Sequence, residues 1–153
     1  MSLEPLFVWL GQTPPGVFLA KYTAAFAATE TLHLISLAVL AGAVLVVDLS
    51  TLRVVFRQSA PAEVARGLNP VLASALGVIV VTGVLLVAAG PLKYYTNAIF
   101  PVKLTTLLVA VLTQVGVYVA LGRERPGLAK VLAAASLALW LSVIILGRWL
   151  GLI

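Results

Sequence analysis

Four long apolar runs dominate the chain, separated by short polar breaks. They cover residues 24–47, 70–89, 101–121 and 129–150. Each is close to the ~20 predominantly apolar residues that a helix needs to cross a bilayer. The first run continues in helical pattern toward Phe56. That makes a helix of about 34 residues, roughly 51 Å at 1.5 Å per residue. A hydrocarbon core is only about 30 Å thick, so the end of this helix projects into water or bends near Asp48, Leu49 and Ser50. Pro70 and Pro101 stand at first helical turns, where a missing N–H costs nothing. Gly90–Pro91 and Pro126–Gly127 break the pattern. Residues 59–68 suit a short amphipathic connector helix with Ser59 as its cap. Leu6 to Leu10 is too short to span and reads as an interfacial segment, with Trp9 at headgroup depth. Met1 to Leu10 contain Glu4 and no Lys or Arg, so the positive region of a signal peptide is missing. The pattern predicts an all-α fold, a polytopic membrane four-helix bundle with a short interfacial N-terminal segment and a short cytoplasmic connector helix. Residues 1–153 form a single integral membrane domain.

Composition removes the soluble alternatives. The chain is 62% hydrophobic and 10% charged, with a mean hydropathy of +1.15, against roughly 25% charged residues in a soluble protein. A water-soluble fold of 153 residues cannot hide that much apolar surface. The lipid bilayer is therefore the first partner. The absence of cysteine excludes disulfides, thiolate metal sites and cysteine nucleophiles. The net charge of +5 resides mostly at segment ends and makes no basic stripe on a soluble face, so nucleic acid is not a partner. Arg53, Arg57 and Arg66 follow the first run, and Arg123, Arg125 and Lys130 follow the third. The other side has Lys21, Lys93, Lys103 and Arg148. The positive-inside rule puts the arginine-rich loops in the cytoplasm and both termini outside. Trp9, Tyr22, Tyr94, Tyr95, Phe100 and Trp149 then form an outer aromatic belt.

The candidate chemistry lies in the ionisable residues within apolar runs. A charge at bilayer depth costs about 2.5–3.5 kcal/mol on insertion scales, so such residues are paired or functional. Glu30 and His33 are three apart and share a helix face. Helical rise puts them about 9 Å and about 13–14 Å below the start near Ala24. Lys103 opens the third run and Arg148 lies about one turn from the end of the fourth, so all four converge in the outer half. Thr29, Thr105, Thr106 and Ser142 are at hand to hydrogen-bond. Lys103 and Arg148 can snorkel along their stems, and Glu30 can pair with either. His33, the single histidine, is a packed core residue or an axial ligand to haem b. Asp48 with Arg53 reads as a helix-end ion pair near water. One Glu-x-x-His without further carboxylates does not make a di-iron site, and no second histidine completes a zinc site. No nucleophile elbow, P-loop or dinucleotide fingerprint is present. Ala133, Ala134, Ala135 and Ser136 allow close packing of the fourth helix.

The segments Glu30-Thr-Leu-His33, Gly42, Asp48-Leu49 through Leu52-Arg53, Leu68-Asn69-Pro70, Thr82-Gly83-Val84-Leu85-Leu86 and Tyr95 through Leu104 resemble an uncharacterised family of small bacterial four-helix membrane proteins. The resemblance covers roughly residues 24–121 and implies a multi-pass protein of the bacterial inner membrane. That family is distantly similar to HemJ-type protoporphyrinogen oxidases and to copper-resistance D-type membrane domains, through the histidine of helix one and the lysine opening helix three. The likeness implies functional roles for His33 and Lys103, with Lys103 countering an anionic group such as a porphyrin propionate. The sequence departs from the oxidases at Leu112 to Val119, where no second histidine stands, so one chain cannot ligate haem through two histidines.

Three functions compete. The leading one is an accessory or structural subunit of a membrane complex, with a polar pocket around His33 and a membrane-protein partner or a second copy beside it. The next is a haem b-binding or quinone-linked redox protein resting on His33, Lys103, Arg148 and the outer Tyr94–Tyr95 pair, with Glu30 as a further cofactor-binding candidate; if the chain is an enzyme, it is an oxidoreductase. The third is a small transporter, which lacks the paired broken helices of a transporter site.

Overall fold

The computed structural model describes residues 3–152, with side chains through Trp149. Met1, Ser2 and Ile153, at the ends of the expected 1–153 domain, lie outside the described residues. The chain forms α1 (Glu4–Gly11), α2 (Pro14–Lys21), α3 (Thr23–Thr51), α4 (Pro61–Ala89), α5 (Pro91–Tyr95), α6 (Ile99–Gly122) and α7 (Pro126–Leu152), with no strand among the described residues. Four of these, α3, α4, α6 and α7, are long and apolar enough to cross a membrane. Large side chains such as Leu34, Leu45, Val81, Leu108, Leu112, Val131 and Leu141 point outward. An exposed apolar surface around a whole bundle is what lipid, rather than water, solvates.

Each hairpin turn has a local cause. α3 stops at Thr51, short of Phe56, because Arg53 adopts a left-handed φ of 62°. The N–H of Val54 then reaches back to Leu49 O at 2.9 Å and that of Arg53 to Ser50 O at 3.0 Å, a Schellman ending with arginine where glycine usually stands. α6 ends the same way. Glu124 has φ 53°, and Arg125 N–H bonds Ala120 O at 2.9 Å while Glu124 N–H bonds Leu121 O at 3.2 Å. The Arg53 guanidinium donates through Nη1 to Arg57 O at 3.2 Å and to Ser59 O at 2.9 Å, clasping the loop.

The connector between the first two spans is helical but not separate. α4 runs unbroken from Pro61 through Pro70 to Ala89, and its N-cap position is Ala60 rather than Ser59, without a side-chain cap bond. Pro70 therefore lies inside a helix, not at a first turn. The reason is packing. Ala65, Leu72, Ala75, Ile79, Thr82 and Leu86 are buried and Leu68 packs on the same core, so one stripe of three- and four-residue steps passes straight across the proline. Such a stripe holds a helix together where one backbone bond is missing.

α3 packs chiefly on α4, and α6 on α7; α3 also meets α7, whereas α4 and α6 barely touch. Two core layers result. Leu40, Val44, Ile79, Ala110, Trp140 and Val143 fill the larger. Val47, Ala65, Val117 and Ala133 fill the one nearer the hairpin turns. Within the small-residue stretch of α7, Ala133 and Ser136 face the core, while Ala134 and Ala135 face outward.

The opposite end of the bundle is capped by α1, α2 and α5. Phe7 stacks near Tyr95 and Phe100, with ring centroids 5.4 and 6.1 Å apart, and Tyr94 lies 5.4 Å from Phe100. α2 seats tightly on α4 because Gly16 has no side chain. A Cβ there would stand 2.9 Å from both Ala88 O and Leu10 O. The expected interfacial segment is thus a pair of short helices packed on the bundle end.

Candidate functional site

His33 faces α4 from the fourth turn of α3, where Thr82 meets it. Its Nδ1 lies 2.8 Å from Thr82 Oγ1. The threonine has one hydroxyl proton, and its oxygen stands 2.6 Å from Val78 O, one turn back in α4. That carbonyl takes the proton, as is usual for a helical threonine. Nδ1–H is then the donor to Thr82, and in the neutral ring Nε2 keeps the lone pair. Gly83 lies beside the imidazole, where a Cβ would meet Cε1 at an ordinary contact distance of 3.5 Å.

Lys103 reaches the same region from the second turn of α6. Its Nζ and Cε lie over α7, 3.7 Å from where a Cβ on Gly147 would stand. The ammonium is half-buried, within electrostatic reach of His33, and without a hydrogen bond or ion pair among the described residues.

The other two predicted members stand apart. Glu30 is exposed and pairs with neither Lys103 nor Arg148 among the described residues. Its charge acts on Tyr94 instead. The Tyr94 phenol, outside the spans, is pushed above the ordinary tyrosine range by burial first and by the Glu30 carboxylate second. Arg148 is exposed, one residue beyond the glycine that Lys103 covers. Of the four, then, His33 and Lys103 come together. The hydroxyls expected to serve them do not. Thr29, Thr105, Thr106 and Ser142 each bond a carbonyl four residues back in their own helix.

A second polar layer lies deeper, toward the hairpin turns, and the Asp48–Arg53 pair expected there does not form. Asp48 is fully buried (0% exposed), and Arg53 is engaged with its own loop. Asp48 faces the core because it falls on the same stripe of α3 as Leu40, Val44 and Val47, at helical spacing. Gln114 donates through Nε2 to Asp48 Oδ1 at 3.4 Å, and Ser136 donates through Oγ to Gln114 Oε1 at 2.7 Å. The chain links α3, α6 and α7. Asp48 Oδ2 and the indole N–H of Trp140 are buried without a partner among the described residues. Buried polar groups are nearly always paired, so these two call for an account. Gln114 and Ser136 are neutral residues in apolar runs, and nothing in the sequence sets them apart from neighbours such as Thr113 and Ser142. The same holds for Thr82 in α4.

The fold and the two polar layers define the class: a multi-pass helical membrane protein with polar groups held inside its spans. The chain belongs to a family of unknown function, DUF6644, whose pattern matches residues 6–153. No curated protein and no solved structure matches it. The likeness to HemJ-type oxidases and copper-resistance D-type domains gains no match from these comparisons. Among the described residues, no three metal-binding side chains of the His, Cys, Asp and Glu type come together.

Proposed function

We propose that this protein is an accessory subunit of a membrane complex and that its capped end receives an anionic group of a partner beside His33. The single observation that carries this reading is Lys103. A half-buried ammonium without a counter-anion among the described residues is a costly arrangement in a low-dielectric setting. A carboxylate supplied from outside removes that cost. His33, tied to Thr82, gives the anion a fixed polar wall. The arginine-rich hairpin loops favour the cytoplasmic side of a bacterial inner membrane for that end, which puts the docking end and both termini outside.

A second reading rests on the tautomer of His33. With Nδ1–H engaged by Thr82, Nε2 offers the lone pair that an axial haem ligand needs, held in orientation by its hydrogen bond. One such nitrogen fits single-point ligation of haem b, with Lys103 placed to counter a propionate.

One preparation separates the two. The protein is extracted from its native membranes in mild detergent, and its visible spectrum and native mass are recorded for wild type, Lys103→Gln and His33→Ala. The accessory reading expects no Soret band, a mass above that of the chain with detergent, and loss of the larger species in Lys103→Gln. A Soret band that disappears in His33→Ala would replace it with the redox reading. A colourless species of single-chain mass in all three variants would remove both.

A further inference from the structure

The groove left between α4 and α6 is a cavity of about 450 Å³. Its walls are mostly apolar, formed by residues such as Leu72, Leu76 and Val111, with Asn69 as a polar member, and Gln114 and Trp140 line it from within the bundle. Both are 3% exposed. The Trp140 indole N–H has no partner among the described residues. The Gln114 amide is fixed at both ends, its Oε1 accepting from Ser136 and its Nε2 donating to Asp48. An amide nitrogen carries two protons, and one of those on Gln114 is without a partner among the described residues. Two N–H donors thus stand in the inner wall of a mostly apolar cavity that has the size of a small-molecule pocket.

A ligand suited to these donors accepts hydrogen bonds. The mostly apolar walls open on the outward apolar surface of the bundle, which favours a ligand from the lipid phase over one from water. An anion is disfavoured, since no lysine or arginine lines the cavity and the Asp48 carboxyl stands directly behind the Gln114 amide. An uncharged carbonyl on an apolar body satisfies every condition. We propose that the cavity between α4 and α6 binds a neutral lipid-phase molecule whose carbonyl oxygen accepts from the Trp140 and Gln114 N–H groups. Two sources carry that chemistry: the ring carbonyl of a quinone with an apolar tail, and the ester carbonyl of a phospholipid. This site is separate from His33 and Lys103 and does not depend on the reading given for them.

Tryptophan fluorescence tests it in the full-length protein. The chain has three tryptophans, so Trp9→Phe with Trp149→Phe leaves Trp140 as the reporter. The delipidated protein in detergent is titrated with a decyl-substituted benzoquinone, with phosphatidylcholine, and with dodecylbenzene, which has the tail and ring but no carbonyl. The proposal expects a saturable change with the quinone or with the phospholipid, and which of them saturates names the source. It expects about tenfold weaker binding when Ala73→Phe fills the cavity from α4, and a similar weakening in Gln114→Leu. Leu108→Phe, on the outward surface, leaves the affinity unchanged. If Gln114→Leu does not fold, Ala73→Phe still decides. A change that does not saturate, that survives Ala73→Phe, or that dodecylbenzene reproduces with equal affinity overturns the proposal.

Discussion

Replacing Thr82 by valine tests whether the His33–Thr82 contact joins two spans or merely lies between them. Valine keeps the shape and the β-branch but removes the oxygen that accepts from Nδ1–H at 2.8 Å. The two sides of the contact are unequal. Without His33, Thr82 still donates to Val78 O at 2.6 Å and nothing is stranded. Without the Thr82 oxygen, a half-buried ring N–H loses its side-chain acceptor and keeps only the Ile79 backbone nearby, against a cost of about 1–3 kcal/mol for a fully buried group left unpaired. Partial exposure of His33 points to the lower end of that range. Thr82→Val should therefore destabilise by about 1–1.5 kcal/mol, and His33→Leu by less. Hydrogen bonds between membrane helices give coupling energies averaging about 0.6 kcal/mol and reaching about 1.7. The double mutant should show a coupling in that window, and Thr82→Ser should recover most of the loss. Equilibrium unfolding in mixed micelles, with SDS as denaturant, provides the four free energies. A coupling within about 0.3 kcal/mol of zero, the additivity expected of independent sites, would mean that the two side chains do not hold α3 to α4.

Two further outcomes follow from the turns and the capped end. Glu124 is exposed and holds φ at 53°, a conformation that costs an L-residue about 1–2 kcal/mol and glycine almost nothing; Glu124→Gly should thus raise stability by about 1 kcal/mol after its greater unfolded-state entropy is counted, in the same unfolding assay. Glu30→Gln removes one of the two causes that push the Tyr94 phenol upward, so its titration should move down toward the ordinary tyrosine range without reaching it, because burial persists; ultraviolet phenolate absorbance, referenced to Tyr94→Phe, reads this, and an unchanged midpoint would separate Glu30 from the tyrosine.

The spans were legible because twenty apolar residues in a row admit few alternatives, and the 86% helical chain follows from that. Less legible was where a helix stops. Proline at position 70 reads locally as a beginning, yet the stripe from Ala65 to Leu86 overrides it, and only the packing of α4 against α3 reveals the stripe. The end of α3 was hidden for the opposite reason, since nothing in an arginine announces a left-handed residue. At the site, His33 and Lys103 stood out as lone ionisable groups in apolar runs. Glu30 stood out equally, but depth along a helix says nothing about azimuth, and its face turns toward Tyr94. Asp48 was misjudged on the same ground. Its distance from the end of the run suggested water, whereas its direction, in register with Val44 and Val47, puts it in the core. Thr82, Gln114 and Ser136 carry no charge, and a sequence gives no notice of which neutral hydroxyl or amide meets a partner across the bundle.

Zero-length coupling at Lys103 addresses the accessory-subunit reading most directly. A membrane-permeant carbodiimide joins an amine to a carboxylate only when the two are in contact. Native membranes are treated with it, and the peptides bearing Lys103 are identified by mass spectrometry, with Lys103→Arg as the control. The account predicts an amide bond between Lys103 and an aspartate or glutamate of a different polypeptide, absent from the control. Coupling of Lys103 to Glu30 of its own chain, or an unmodified Lys103 while other lysines react, would contradict it.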